Sequence, residues 1–191
     1  MNHFLAYMSR MKLIRRWSLM HNVRPENDAE HSHQVAMIAH VLCLIRNRRY
    51  GGNLDAGKVL ALAVYHEAAE VITGDLVTPI KYFNPGIRSA FGEIEQMAEE
   101  KLLTYIPEDL RDELRPYVIQ DKDMPERRIV KAADKISAYL KCVEEISSGN
   151  KEFVQAREQL EETIADMDLP EVRDFMREFA PSFALSLDQL N

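Results

Sequence analysis

The sequence predicts an all-α fold in a single domain. Three observations carry that expectation. Apolar residues recur at steps of three and four along nearly the whole chain. No segment alternates apolar and polar residues with period two, so a sheet is not expected. Seven glycines and eight prolines read as punctuation at segment ends rather than as the frequent turns of a β architecture. The 191 residues suit one domain, 1–191, with enough chain for a substantial core. No internal repeat, low-complexity tract or linker divides them.

The elements follow in order. A first helix is expected from about Asn2 to Arg16. A second starts near Asp28 and ends before Gly51 and Gly52, with His31, Val35, Ile38, Leu42 and Ile45 as its apolar-facing stripe. Asp55 can cap a third helix that runs through about Ile72 and stops at Gly74. Its stripe is Val59, Leu62, Ala63, His66, Ala69 and Glu70. The segment TGDLVTPIKYFNPG, with two prolines, is expected to be a loop. A helix from about Ile87 to Thr104 and a short one after Pro107 come next. Another runs from about Glu126 to Ser147, with Ile129, Ala133, Ile136, Leu140 and Val143 facing inward. Two more flank Pro170.

Composition narrows the function. The net charge of −7 disfavours a surface for duplex nucleic acid. Residues 1–24 nevertheless carry Arg10, Lys12, Arg15, Arg16 and Arg24 and no acid. A solvated basic helix end and a small anion-collecting patch both fit, and composition alone favours the first. Cys43 and Cys142 belong to no paired motif and sit in apolar helical patterns, as reduced core thiols do. The opening MNHFLAYMSRMK lacks the layout of a signal peptide, and VAMIAHVLCLI is too short to span a bilayer. No membrane association and a cytoplasmic location are therefore expected.

The helical pattern breaks in one informative way. His31, His66 and Glu70 occupy inward-facing positions. Glu67 sits beside Leu60, Ala63 and Val64, and Asp134 lies one residue off its stripe, next to Ala133, Ser137 and Ala138. Buried carboxylates are costly unless paired or metal-bound. A divalent cation held by imidazoles and carboxylates from three helices would account for all five breaks together. The structural alternative is a buried salt-bridge network with Lys131 or Lys135. The metal is the favoured of the two.

These residues, His31, then His66-Glu67, then Asp134, resemble the signature of the HD-domain superfamily, a histidine, an adjacent His-Asp pair and a distant aspartate. The stretches LIRRWSLMHNVRPENDAEHSHQVAMIAH, ALAVYHEAAEVITGDLVTPIKYF, KAADKISAYLKCVEE and FAPSFALSLDQL narrow the resemblance to the bacterial 5′-deoxynucleotidase YfbR family. The resemblance implies an HD-type helical bundle, a homodimer, and release of phosphate from 2′-deoxynucleoside 5′-monophosphates with a transition metal, typically cobalt, manganese or copper. It places His31, His66, Glu67 and Asp134 on the metal ligands, and Arg16 and Trp17 on a substrate-contacting pair. Glu70 and Asp75 fall on catalytic carboxylates, and Asp75, Leu76, Val77 and Thr78 on a substrate-contacting loop. The substrate-contacting set then comprises Arg16, Trp17, His31, Glu67, Asp75, Leu76, Val77, Thr78 and Asp134. Three positions depart from the family. Glu67 replaces the paired aspartate, which bears on metal identity and turnover. Val77 replaces a proline, which bears on substrate selectivity. His33 stands where an aliphatic residue is expected, and reads as structural or as a support to a ligand, since it points away from the face of His31.

The residue types suggest a mechanism. A divalent ion acidifies water and polarises a phosphoryl oxygen. Two histidines and two carboxylates suit manganese, iron, cobalt, nickel or zinc better than magnesium or calcium. Glu70, one turn after His66, reads as the general acid/base, helped by Asp75. Arg16 can clamp phosphate bidentately, a catalytic as well as a binding role. Trp17, the one tryptophan, reads as a wall that senses a missing 2′-hydroxyl. Two other functions are weighed. A deoxynucleoside triphosphate triphosphohydrolase acting on dATP would share the fold and metal. A non-catalytic nucleotide-binding protein is supported only by the Glu67 departure. Glutamate moves its carboxylate by about 1.5 Å at full extension, so Glu67 is expected to remain a ligand by adopting a different rotamer.

Overall fold

A computed structural model of the chain describes residues 1–81 and 83–190. Tyr82, inside the expected loop, and Asn191, at the end of the expected domain, lie outside the described residues. The described residues hold helices and no strand, as the periodicity predicts; a lone antiparallel bridge joins Arg15 and Asn27.

Two 23-residue helices form the centre, α2 (Asp28–Tyr50) and α8 (Pro125–Ser147), which pack on each other. A short α1 (Phe4–Met8) and a 3₁₀ turn (Ser9–Leu13) precede them. Between them lie α3 (Ala56–Val64), the single turns α4 (Glu70–Thr73) and α5 (Thr78–Lys81), α6 (Pro85–Leu103) and α7 (Glu108–Val118). After α8 come a 3₁₀ turn (Lys151–Phe153), α9 (Val154–Ala165) and α10 (Pro170–Glu178). Helix α2 packs against α3, α8 and α10, and α8 also against α3 and α9. Val35, Leu42, Leu62, Ile136 and Leu140 are wholly buried where these helices meet. A smaller cluster gathers Phe4, Ala68, Leu102, Leu103, Ile106 and Val118. Cys43 and Cys142 are both buried and unpaired, as expected.

Local signals place the ends. Asn27 accepts from the Glu30 N–H at 3.0 Å, Asp55 from Lys58 N–H at 3.0 Å and Asn84 from Ile87 N–H at 2.8 Å, each satisfying an N–H that a helix start leaves open. Gly51 (φ 64°) closes α2 and Gly74 (φ 72°) closes α4 in backbone regions that a side chain resists. Not every glycine and proline is punctuation: Gly57 lies in α3, Gly92 in α6 and Pro116 in α7.

Two expected helices are shorter, for identifiable reasons. The first does not reach Arg16. The chain turns extended at Ile14, because Arg16 N–H bonds to Glu26 O at 3.1 Å and Asp28 N–H to Ile14 O at 3.1 Å. The third ends at Val64 instead of Ile72. There His66 Nδ1 lies 2.7 Å from Ala63 O. That carbonyl would receive the Glu67 N–H in an unbroken helix. Tight turns follow, Ala68 N–H to Tyr65 O and Glu70 N–H to Glu67 O, both 3.0 Å. The break falls on His66 and Glu67 and sets their directions.

Candidate active site

Four side chains converge where α2, the α3–α4 turn and α8 meet. One ligand atom each from His31, His66, Glu67 and Asp134 lies within 4.8 Å of the others. His31 is 1% exposed, with Nε2 3.2 Å from Asp134 Oδ1 and Nδ1 3.2 Å from Ser137 Oγ. Ser137 spends its own proton on Gln34 Oε1 at 2.8 Å, so its oxygen accepts from His31 Nδ1–H. His66 Nδ1–H donates to Ala63 O, while its Nε2 is buried and has no hydrogen-bond partner. Both imidazoles thus give Nδ1–H to a fixed neighbour and turn Nε2 into the cluster. An orphaned buried nitrogen beside two carboxylates is what a metal site needs, with carbonyl and hydroxyl groups fixing the tautomers.

The charges agree. Burial, with Arg16 nearby, pushes His31 down to about 4, so it is neutral at physiological pH. Burial opposes ionisation of Asp134, yet the adjoining His31 ring and the Lys135 ammonium outweigh it and hold the carboxyl well below its usual range. Burial likewise opposes the Glu67 charge, and His66 and Arg16 outweigh it. Part of the salt-bridge alternative is present. Lys135 reaches Asp134 Oδ2 at 2.9 Å and Arg16 Nη1 lies 3.6 Å from Glu67 Oε1. Lys131 is exposed. Glu67 Oε1 lies 3.5 Å from His66 Nε2, yet that buried nitrogen makes no hydrogen bond, which favours the metal.

The two carboxylates of the cluster, Glu67 and Asp134, open on a groove of about 790 Å³. Arg16, Trp17, Glu67, Glu70, Asp75, Leu76, Val77, Thr78 and Asp134 all line it. His31 and His66 are not among the groove's lining residues. Arg16 is held by Glu26 at 3.2 Å, and the surrounding acids raise its basicity against the cost of burial. Trp17 adopts φ 56°, a left-handed backbone that costs a non-glycine residue about 1–3 kcal/mol. Its ring leans on Phe153 at 5.3 Å. Burial, reinforced by Glu67, Asp28 and Asp75, pushes the Glu70 carboxyl up to about 11. Burial also raises Asp75, against the pull of Arg16.

Sequence reasoning missed several groups. Asp28 is fully buried beside Glu70, and burial pushes it up to about 7. Its place three residues before His31 on one helix face is a signal that could have found it. Ser137 and Gln34 orient His31, and the α9 residues Gln155, Gln159 and Thr163 form the far groove wall. His33 is exposed, so it neither ligates nor supports a ligand; that work falls to its neighbour Gln34.

The site geometry gives Arg16 a direct test. Arg16→Lys keeps the charge and loses the planar fork, so kcat/KM is expected to fall at least about tenfold, about 1.4 kcal/mol. Steady-state kinetics on the metal-loaded protein checks it, and near-wild-type values would remove Arg16 from phosphate recognition.

Comparison with known proteins converges on one family. The family described as 5′-deoxynucleotidase YfbR-like matches residues 3–183. A 5′-deoxynucleotidase of Vibrio vulnificus (strain YJ016) is 51% identical over 191 residues, covering 100% of this chain and 98% of that protein. A 5′-deoxynucleotidase of Yersinia pestis (strain Pestoides F) is 50% identical over 192 positions, with the same coverage. Among solved structures, an HD-domain phosphohydrolase from Listeria innocua is similar with a TM-score of 0.83 at 22% identity, covering 97% of this chain and 90% of that one. The HD phosphohydrolase of cyanophage S-2L, bound to dA and one catalytic zinc ion, has a TM-score of 0.64 at 20% identity, covering 93% of this chain and 95% of that one.

Proposed function

Because this chain belongs to the YfbR-like 5′-deoxynucleotidase family, a family of phosphoric monoester hydrolases, we propose that its groove binds a 2′-deoxynucleoside 5′-monophosphate and releases orthophosphate. The observation that carries the reading is that the four-residue cluster shares Glu67 and Asp134 with a groove that Arg16 and the protonatable Glu70 also line.

His31, His66, Glu67 and Asp134 would hold one divalent transition ion, drawn from cobalt, manganese, copper, zinc, iron and nickel on the chemistry of two imidazole nitrogens and two carboxylates. When bound, the ion polarises a phosphoryl oxygen and acidifies a water. The chain's own groups do the rest. Arg16 binds and orients the phosphate. Glu70, neutral in its buried place, holds the proton that the leaving 5′-oxygen needs. Asp75 stands in the loop after α4 as its helper, beside Leu76, Val77 and Thr78 along the substrate. Trp17 walls off the sugar where a 2′-hydroxyl would sit. His31, Glu67 and Asp134 meet the substrate at the metal centre.

We further take the chain as one domain, acting in the cytoplasm as a homodimer without duplex nucleic-acid or membrane partners. No described helix is long and apolar enough to cross a membrane. Ile94 and Met97, three residues apart on α6, are exposed apolar side chains that a second copy could cover.

The test strips the protein with EDTA, adds back single metals and follows phosphate release from deoxy- and ribonucleotides. Orthophosphate from deoxynucleoside monophosphates, dependent on added metal, is expected. Triphosphate from dATP would reassign the chain as a triphosphohydrolase. No release from any nucleotide with any metal would make it a binding protein, and full activity after stripping would contradict the metal.

A further inference from the structure

The segment that carries Arg16 and Trp17 is held in an unusual way. Residues 15–27 form a loop whose base is closed by the Arg15–Asn27 bridge. No residue of the loop is fully buried; Trp17 and Met20 are half-buried, while Leu19 and Val23 are 68% and 61% exposed. Hydrophobic burial therefore fixes it only in part. Its far side is fixed by polar bonds to the end of α8 and the turn that follows. Glu145, 1% exposed, accepts from Val23 N–H at 2.9 Å and Arg24 N–H at 3.1 Å. Lys141, one turn earlier, donates to both Glu145 and Arg24 O. Asn150 donates to His21 O at 2.7 Å and to Glu145 Oε2 at 2.8 Å, and His21 N–H donates to Glu152.

A buried ion pair is a poor way to stabilise a helix bundle, since apolar residues of like volume do at least as well. Here the pair's remaining bonding capacity is spent on loop backbone. Lys141 also lies 5.7 Å over the ring of Phe153, the ring on which Trp17 leans. Inside the loop, Met20 N–H and Asn22 Nδ2 both bond to Trp17 O, at 3.0 and 3.2 Å. The anchor is thus continuous from α8 to the one residue of the loop in a left-handed backbone. Such a conformation persists only where its surroundings over-determine it.

We propose that Lys141 and Glu145 are positioning residues for deoxynucleotide recognition: they pin the 15–27 loop so that Trp17 and Arg16 face the groove. The proposal rests on the reading of Trp17 and Arg16 as substrate-contacting groups. Neither Lys141 nor Glu145 lines the groove, so their influence runs through the loop.

The experiment uses Lys141→Met, Glu145→Gln, the conservative Lys141→Arg, and Trp17→Ala as a separate probe of the wall. Trp17 is the sole tryptophan, so acrylamide quenching of intrinsic fluorescence reports the loop directly, without substrate or metal. Kinetics on deoxy- and ribonucleoside 5′-monophosphates reports its effect. In Lys141→Met and Glu145→Gln the quenching constant is expected to rise at least about twofold, KM for the deoxynucleotide at least about tenfold with kcat within about threefold, and the preference for deoxy over ribo to shrink. Lys141→Arg restores quenching and KM toward wild type. Unchanged quenching, KM and sugar preference in folded Lys141→Met protein overturns the proposal, as does a drop in Tm and kcat alone, which marks a merely structural fastening. If Trp17→Ala itself keeps normal KM and sugar preference, the reading of Trp17 as a wall has failed instead.

Discussion

Glu70→Ala is expected to lower kcat by about 10²–10⁴, the range of general acid–base catalysis, while metal content stays at the wild-type level. Glu70 starts the single turn α4 and is 8% exposed. Burial and the acids Glu67, Asp28 and Asp75 raise its carboxyl up to about 11. A divalent charge beside it lowers that value toward the working range, as a bound cation does for neighbouring acids. The sign matters: a raised value means that the proton is present at neutral pH and lost as pH climbs, so activity should fall on the alkaline side. Glu70→Gln keeps a hydrogen-bonding amide and has no proton to give, so it should be as inactive as the alanine variant. Elemental analysis beside phosphate release decides the role. If metal and activity are lost in parallel, Glu70 is a ligand and the proton passes to Asp75.

Glu67→Ala is expected to lose both. Glu67 Oε1 lies 3.5 Å from His66 Nε2 and 3.6 Å from Arg16 Nη1. Even groups that merely support a metal ligand are worth about 10–100-fold in affinity or activity, and a ligand is worth at least that. Glu67→Asp should keep metal and measurable turnover, with a changed order of preference among metals. Glu67 reaches the cluster from the turn between α3 and α4, outside either helix. If Glu67→Ala binds metal and hydrolyses nucleotide like wild type, the site rests on His31, His66 and Asp134.

Much of this was legible in the sequence. The stripes of α2, of the longer third helix expected from sequence and of α8 put His31 and Glu70 inside and Asp134 at the edge, because apolar spacing records which face is buried. The breaks in two expected helices were not legible, because their causes lie elsewhere in the chain or in a side chain. Nothing in the local pattern at Arg15 and Arg16 announces a partner at Asn27 and Glu26. Nor does a histidine in a helical run announce that its ring will take the Ala63 carbonyl. Ser137 and Gln34 escaped notice because polar residues on long helices are common, and their bond to His31 exists only once α2 and α8 cross. The pinning of the 15–27 loop by Glu145 spans more than a hundred residues and has no local signature.

The tautomers of the two histidines bear on how the protein comes to hold its ion. Ala63 O and the Gln34–Ser137 pair orient the rings by ordinary hydrogen bonds, and a core of wholly buried aliphatic residues stands behind them. In small zinc modules the ion's binding energy is what folds the chain. We infer a different order at this site: an ion taken up here meets two rings whose directions hydrogen bonds within the fold already set.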